Sequence, residues 1–436
     1  MKKSFPLIIL IIGLFYNTNA QSQNLEELLF ELPDVIFKEI EPTKDYGPTY
    51  KLKIKQPLDH SDISKGYFYQ KVYLTHKGFD RPIVMNTAGY NRNKNSIYEL
   101  TELLKANQIN VEHRYFGESI PDSLDYDYLN MNQVTADLHH INKLFNKIYS
   151  GKWISMGISK GGATTIFYKY FYPNDIDVSV PYVAPINKEY EDKRIYTFLD
   201  TIGSEECRNK IESFQIRLFE EREKILPFLK YYSLGADMEY SYHTLEEAYE
   251  YTILEYPFSF WQGGKSCDSI PDEYASIDDL TEYLISFDLF SLYSDNSVNW
   301  GGSHYYQSAT EMGYYGFEID DFRKYIKVLP KEKNPYAAFV PNKMKVEFDG
   351  TLLKKVNKWI ENDGNKFIYI YGSIDTWSAC AVKPSKKVDS KWFFLDGKHH
   401  SNARIKNMNE EEKQVLISTL ENWLSIDIEE TYPDKN

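Results

Sequence analysis

A glycine-flanked serine is the residue of this chain with the clearest chemical potential. It lies in the run Gly157-Ile158-Ser159-Lys160-Gly161, which follows the strand-like segment WISM. A serine that transfers acyl groups needs a base, a carboxylate that holds this base, and backbone donors for the oxyanion. A strand, a sharp turn and a helix around the serine form a nucleophile elbow. The sequence therefore predicts that Ser159 is a nucleophile.

The acid and the base are expected late in the chain. Asp375 follows the strand-like run KFIYIY, and His399 and His400 follow the run WFFL. The order Ser, Asp, His along the chain is the one that α/β hydrolases use. We predict Asp375 as the acid, although an Asp at a strand end can also satisfy the N–H groups of a turn. We favour His400 as the base, and His399 is the alternative.

The oxyanion donors should be two backbone N–H groups. The first is that of Lys160, directly after the nucleophile, and the second should come from the loop of residues 86–91. Gly89 in this loop would allow a close approach to substrate, which favours the N–H of Tyr90. The alternative is an ordinary glycine turn with a surface tyrosine.

Several other polar residues are interpreted as structural. His139 and His140 share an amphipathic helix without acidic or histidine partners at metal-ligand spacing, and no metal is expected there. Residues 112–114 (Glu-His-Arg) end a strand and are expected to form a buried ion-pair network. Cys380 has no base motif of its own and is interpreted as a packing residue.

The elements that must position these residues alternate between strands and helices. Strands are predicted at 66–76, 81–86, 108–113, 152–157, 178–183, 366–371 and 392–395, and helices at 132–149, 160–171 and 410–424. Residues 186–343 are instead dense in charged and aromatic residues at helical spacing. We predict an α/β-hydrolase fold in two parts, 21–185 and 344–436, with a large, mainly helical cap domain at 186–343.

Composition and the N-terminus limit the location and the partners. Residues 1–20 combine two lysines, a short apolar run and the ending Thr-Asn-Ala, which predicts a signal peptide cleaved after Ala20. No later run is apolar for long enough to span a bilayer, so we expect a secreted or periplasmic protein without membrane insertion. The net charge of −14 argues against nucleic acid as a partner.

Three cysteines remain after the signal peptide. Cys207 and Cys267 both fall in the helix-rich middle, whereas Cys380 lies in a separate C-terminal stretch. In a compartment that permits disulfides, we predict a bridge between Cys207 and Cys267. Three separate buried thiols are the alternative.

Four longer segments carry a family resemblance: VEHRYFGESIP, KWISMGISKGGATTIFYKYFYP, DIDVSVPYVAPIN and YYQSATEMGYYG. Together they resemble the secreted bacterial tripeptidyl aminopeptidases, which are related to the prolyl carboxypeptidase and dipeptidyl peptidase families. The resemblance implies Ser159, Asp375 and His400 as the triad. Thr376 departs from it, because relatives often have proline after the acid, and the double histidine leaves the loop alignment uncertain by one position.

The resemblance also implies how the substrate is held. A helical cap would cover the site and restrict access to peptide ends, and its cysteines would match Cys207 and Cys267. A free amine needs a carboxylate partner, for which Glu311 is the candidate, with a helix-surface glutamate as the alternative.

Three functions follow from these observations. The first is a serine exopeptidase that removes short peptides, tripeptides above all, from free N-termini without metal or cofactor. The second is an esterase or lipase on the same scaffold, which would use the same catalytic residues. The third is a catalytically inactive peptide-binding protein.

Overall fold

The computed structural model describes residues 24–43, 46–330 and 339–428. The predicted signal peptide, residues 1–20, lies outside these ranges. Among the helices of the described ranges, none is long and apolar enough to cross a membrane.

The strands of the described residues form one nine-stranded sheet. They are β1 (Val35–Ile40), β2 (Thr49–Pro57), β3 (Tyr67–Thr75), β4 (Ile83–Thr87), β5 (Asn107–Val111), β6 (Trp153–Ile158), β7 (Val178–Tyr182), β8 (Ile368–Gly372) and β9 (Lys391–Leu395). Every residue of β4, β5, β7 and β8 is buried. β4, β7 and β8 are mostly apolar, as expected when helices cover both faces of a parallel sheet, whereas β5 contains Asn107, Gln108 and Asn110.

The order of the strands across the sheet is β1-β2-β3-β5-β4-β6-β7-β8-β9. Neighbouring strands are antiparallel from β1 through β2 and β3 to β5. They are parallel from β5 through β4, β6, β7 and β8 to β9. This mostly parallel sheet with crossover helices confirms the predicted α/β-hydrolase fold.

The helices fall into two groups. Those beside the sheet are α1 (Leu25–Glu31), α2 (Glu99–Leu103), α3 (Met131–Phe145), α4 (Lys160–Phe171), α11 (Thr351–Asn362) and α12 (Glu410–Leu424). Those within residues 186–343 are α5 (Arg194–Leu199), α6 (Glu205–Glu220), α7 (Arg222–Gly235), α8 (Leu245–Gln262), α9 (Ile277–Ser286) and α10 (Asp295–Gln307). We call α5 to α10 the helical block. No β-strand occurs in it, as far as residues 186–343 are described.

Two helix predictions are matched closely and one is too long. α4 and α12 have the predicted bounds, whereas α3 ends at Phe145, four residues before the predicted end. After Phe145 the backbone tightens, because the N–H groups of Lys147 and Ile148 bond carbonyls three residues back at 3.2 and 3.0 Å. Such tightening is a common way to satisfy the last carbonyls of a helix.

The helical block has its own apolar core, which includes Leu218, Tyr249, Phe260 and Leu280. The same cluster contains Trp377, from the loop that follows β8. The block is therefore packed directly against the part of the sheet domain in which the sequence predicts the catalytic acid.

α8 runs through the middle of this core although it contains a proline. Pro257 has no N–H, so the carbonyl of Ile253, four residues earlier, loses its helical donor. The side chain of Gln215 from α6 donates to that carbonyl instead, at 2.7 Å. The proline is thus accommodated by a hydrogen bond between two helices.

The predicted disulfide is present between Cys207, in the first turn of α6, and Cys267, just beyond α8. Cys380 is a free thiol that is fully buried, and burial raises its pKa well above the usual range. Both observations agree with the roles expected from the sequence.

Candidate active site

Ser159 occupies a sharp turn between β6 and α4. Its φ is 58° and its ψ is −125°, which is an unfavourable conformation for a residue with a Cβ atom. The turn brings two chain segments together: a Cβ on Gly157 would lie 2.1 Å from the carbonyl oxygen of Gly161. The N–H of Ser159 donates to the carbonyl of Tyr182 at 2.9 Å. The backbone is therefore that of a nucleophile elbow.

The two predicted oxyanion donors lie beside this turn. Lys160 is the first residue of α4, so its N–H has no acceptor within the helix. The loop that carries Tyr90 packs on the same helix start, because a Cβ on Gly89 would lie 2.7 Å from Cβ of Lys160. Tyr90, Ser159 and Lys160 line one cavity.

The side chain of Lys160 holds this corner together. Its Nζ donates to the carbonyl of Gly89 at 2.8 Å and to Oε1 of Gln307 in α10 at 2.7 Å. It also lies 5.3 Å from the ring centre of Tyr90 and 5.0 Å from that of Phe116. Burial lowers the pKa of Lys160 to about 7, and the charge of Glu311 partly offsets this. The lysine thus connects the Gly89 loop to the helical block.

Asp375 and His400 are in direct contact. Asp375 is fully buried, and Nδ1–H of His400 donates to its Oδ2 at 2.8 Å. The N–H of Trp377 donates to the other carboxylate oxygen at 3.1 Å. With Nδ1 held in this way, the other ring nitrogen of His400 is the one that can accept a proton. Among the described residues no hydrogen bond joins Ser159 Oγ to His400, and such bonds often tighten only when substrate binds.

His399 is oriented differently from His400. Its Nδ1 lies 3.2 Å from the hydroxyl of Ser401, and its backbone N–H donates to Oδ1 of Asn402 at 2.7 Å. Its ring packs against Gly264, where a Cβ would lie 2.4 Å from Cδ2 of His399. The structure therefore brings His400, and not His399, to Asp375.

α8 braces both loops. The hydroxyl of Thr376 donates to the carbonyl of Phe258 at 2.8 Å, and the N–H of His400 donates to the carbonyl of Gln262 at 3.2 Å. A proline at position 376 could not form the first of these bonds. The departure from the family pattern at Thr376 is thus explained by a contact between the acid loop and the helical block.

The predicted structural residues form the expected pairs. Arg114 donates two hydrogen bonds of 2.7 Å to Asp137, and Glu112 lies 2.8 Å from Nζ of Lys71. Two histidines are used in hydrogen bonds: His139 with Asp175 at 2.6 Å, and His140 with Gln56 at 2.8 Å.

Glu311, the candidate partner for a substrate amine, lies at the start of α3. It is absent from the residues that line the cavity at Ser159, and its Oε1 accepts the N–H of Met131 at 2.7 Å. Met131 is the first residue of α3, and a carboxylate is favourable at the positive end of a helix. Burial nevertheless raises the pKa of Glu311 to about 8. This contact braces the start of α3, and the role of Glu311 towards a substrate amine stays a prediction.

A different acid, which the sequence analysis did not single out, lines the cavity. Glu255 of α8 is 3% exposed and lies on the cavity of about 430 Å³ that also contains Ser159 and Tyr90. The run Ala248–Trp261 contains no charged residue apart from Glu250 and Glu255, and both glutamates are buried. A charge in a helix that is apolar on all sides was the available signal, because a buried carboxylate needs a partner.

The fold and the elbow define a hydrolase of the α/β class. A family model described as PS-10 peptidase S37 matches residues 18–427. The chain belongs to this family and is a serine peptidase.

Three named proteins are similar to this chain over different shares of its length. The prolyl tri/tetrapeptidyl aminopeptidase of Streptomyces mobaraensis is 28% identical over 416 residues, which cover 93% of this chain and 86% of the relative. The human lysosomal Pro-X carboxypeptidase is 30% identical over 164 residues, which cover 33% of this chain and 32% of the relative. A solved structure of proline iminopeptidase from Mycobacterium smegmatis matches 86% of this chain and 99% of that chain, at 12% identity and a TM-score of 0.41.

Proposed function

We propose that this serine peptidase uses Ser159, His400 and Asp375 as a catalytic triad to cleave short peptides from free N-termini. The observation that carries the proposal is the contact of 2.8 Å between His400 and the buried Asp375, together with the strained elbow at Ser159. The aminopeptidase direction is supported by the Streptomyces relative, whose similarity extends over nearly the whole chain.

The first half of the reaction forms an acyl-enzyme. Oγ of Ser159 attacks the carbonyl carbon of the scissile peptide bond while its proton moves to Nε2 of His400. The carbonyl oxygen becomes an oxyanion, which the N–H groups of Lys160 and Tyr90 stabilise. The C–N bond then breaks, and the imidazolium of His400 gives its proton to the departing amine.

The second half releases the N-terminal fragment. A water molecule gives a proton to His400 and adds as hydroxide to the ester carbon. The second tetrahedral intermediate collapses, and Oγ of Ser159 leaves with the proton from His400. Asp375 stabilises the imidazolium in both halves and fixes the ring orientation.

We propose that the helical block, together with the remainder of residues 186–343, is a cap that restricts the site to peptide ends. Residues of α8 and α10 line the cavity at Ser159, including Glu255, Phe258 and Trp300. A cavity of about 430 Å³ has room for a short peptide segment and excludes a folded chain. Export through the signal peptide at residues 1–20 is part of the proposal, and the disulfide of Cys207 is compatible with it.

The two adjacent histidines provide a matched test of the triad. We expect His400→Gln to lower kcat/KM for tripeptidyl nitroanilides by at least about 1000-fold, since a triad base is lost. His399→Gln is the control and should keep most of the activity. If His399→Gln is the inactive variant and His400→Gln is not, the base assignment is wrong.

Substrate form separates the three functions. The substrates are tripeptidyl nitroanilides with different residues beside the scissile bond, proline included, each with a free and an acetylated N-terminus. Cleavage of the free forms alone supports an aminopeptidase. Equal cleavage of both forms, or turnover of nitrophenyl esters without peptide cleavage, contradicts it. A fluorophosphonate probe that fails to label the protein would indicate an inactive binding protein.

A further inference from the structure

The cavity at Ser159 contains a buried carboxylate on the side of the helical block. Among the described residues, two acids line this cavity: Asp288, which is exposed, and Glu255, which is 3% exposed. Removing a carboxylate from water is costly unless hydrogen bonds and an opposite charge compensate for it. Glu255 has partners within the protein, and its position on the wall of a substrate cavity also allows it to meet a cationic group of a ligand.

Hydroxyl groups hold the Glu255 carboxylate in place. The phenol of Tyr315 donates to both carboxylate oxygens, at 2.9 and 3.0 Å, and Ser259 donates to Oε1 at 2.7 Å. These three hydrogen bonds orient the carboxylate. The group is thus pre-oriented to bind a cation.

Four tyrosines on the cavity surround this acid: Tyr293, Tyr305, Tyr314 and Tyr315, which we call the tyrosine wall. Burial raises the pKa of Tyr293, and the charge of Glu255 raises it further. The same carboxylate contributes to the raised pKa values of Tyr305 and Tyr314, for which burial is again the main cause. The phenols of Tyr293, Tyr305 and Tyr314 therefore stay neutral. Aromatic faces next to a carboxylate are favourable for an ammonium group.

The tyrosine wall is connected to the acid of the triad. The ring centre of Trp377 lies 5.4 Å from those of both Tyr314 and Tyr315, and the N–H of Trp377 donates to Asp375. Phe258 stacks on Tyr315 at 3.9 Å. These contacts fix the position of the carboxylate of Glu255 relative to the catalytic residues.

We propose that Glu255 and the tyrosine wall bind the α-ammonium group of the peptide's N-terminal residue. The inference rests on the proposed aminopeptidase function and names the residue that recognises the free amine. The length of the released fragment is then set by the chain that fits between this ammonium group and the carbonyl at Ser159. A peptide's C-terminal carboxylate would be repelled by the same site, which favours cleavage from the N-terminus over cleavage from the C-terminus.

The test compares Glu255→Gln with wild type on matched substrates. Glutamine keeps the shape and an acceptor for Tyr315 but removes the charge. We expect kcat/KM for a free-amine tripeptidyl nitroanilide to fall by about 100-fold, since a desolvated charge pair is lost. The slow hydrolysis of the acetylated analogue should change by less than about threefold. Glu246→Gln, an exposed acid in the first turn of α8, is the control and should resemble wild type.

Two further measurements separate recognition from folding. The rate of labelling by a fluorophosphonate probe should be the same in Glu255→Gln and wild type, because the triad is intact. Glu255→Asp, which keeps the charge, should retain part of the preference for the free amine. An equal fall for the free and acetylated substrates, or no fall for either, overturns the inference.

Different results would contradict the proposed function and the proposed role of Glu255. If wild type cleaves acetylated peptides as well as free ones, the aminopeptidase proposal is wrong before any variant is tested. If wild type requires the free amine and Glu255→Gln still shows the full preference, the aminopeptidase proposal stands and Glu255 is not the amine site.

Discussion

Replacing Gly264 by alanine should impair catalysis through the loop that carries the base. Gly264 follows α8 with a φ of +62°, and a Cβ there would lie 2.4 Å from Cδ2 and 2.5 Å from Cγ of His399. His399 precedes His400, whose N–H donates to the carbonyl of Gln262. A displacement at Gly264 is therefore transmitted to His400 along the chain and through α8.

The expected losses of stability and activity in Gly264→Ala have two separate causes. A left-handed backbone costs an alanine about 1–2 kcal/mol of stability relative to glycine. Carbon atoms normally approach to about 3.5–4.0 Å, so the ring of His399 must move by more than about 1 Å. Rotation of the ring alone is insufficient, because the new Cβ would also lie 3.0 Å from Cβ of His399. A misplacement of about 1 Å in a catalytic group can lower the rate by about 100-fold.

Gly397 provides the matched control. Gly397 lies in the loop after β9 that also contains His400, its φ is +63°, and a Cβ there would have no neighbour within 4 Å. Gly397→Ala and Gly264→Ala should both lose about 1–2 kcal/mol of unfolding free energy, measured by urea titration. Only Gly264→Ala should lose kcat/KM on a tripeptidyl nitroanilide, by about 10- to 100-fold. Equal kcat/KM for the two variants would refute the coupling between α8 and the base loop.

Two further predictions concern stability. Gln215→Leu should cost about 1–3 kcal/mol in a urea titration, because the buried carbonyl of Ile253 loses its donor; adding Pro257→Ala should restore a backbone N–H and recover part of the loss, and no recovery would contradict this explanation. Glu311 has a folded pKa of about 8 and an ordinary value of 4.5, so its protonated form favours folding and stability declines as the pH rises from about 4.5 to about 8. Thermal unfolding should therefore show that the midpoint temperature of Glu311→Gln rises relative to that of wild type between pH 5 and pH 9. A difference in midpoint temperature that stays constant with pH would contradict the burial argument.

The sharp turn at Ser159 and the contact between Asp375 and His400 were largely predictable from the sequence. Strand and helix patterns around Ser159 predicted α4 with its observed bounds, and the order of the late strands led to Asp375 and His400. These residues follow local rules, because each stands directly after a strand in a parallel sheet. The choice between His399 and His400 needed the structure, because the orientation of the loop depends on contacts with Gly264 and Gln262 of the distant helical block.

The residues proposed to bind the substrate were harder to predict from the sequence. Glu311 and Glu255 both lie in helical segments rich in aromatic residues, and no periodicity shows which of them faces the cavity. That choice depends on how α8 and α10 pack against the loop of Trp377, which is a tertiary property. The role of Thr376 was hidden for the same reason, since its partner Phe258 is 118 residues earlier in the chain.

The most direct test of the central claim is product analysis by mass spectrometry. An unblocked peptide of about ten residues is incubated with wild type and with Ser159→Ala. Wild type should release a short N-terminal fragment, and the acyl-enzyme trapped by rapid acid quenching should carry this fragment on Ser159. Ser159→Ala, folded as judged by circular dichroism, should release none. Cleavage by Ser159→Ala at the wild-type rate, or release of residues from the C-terminus alone by wild type, would contradict the account.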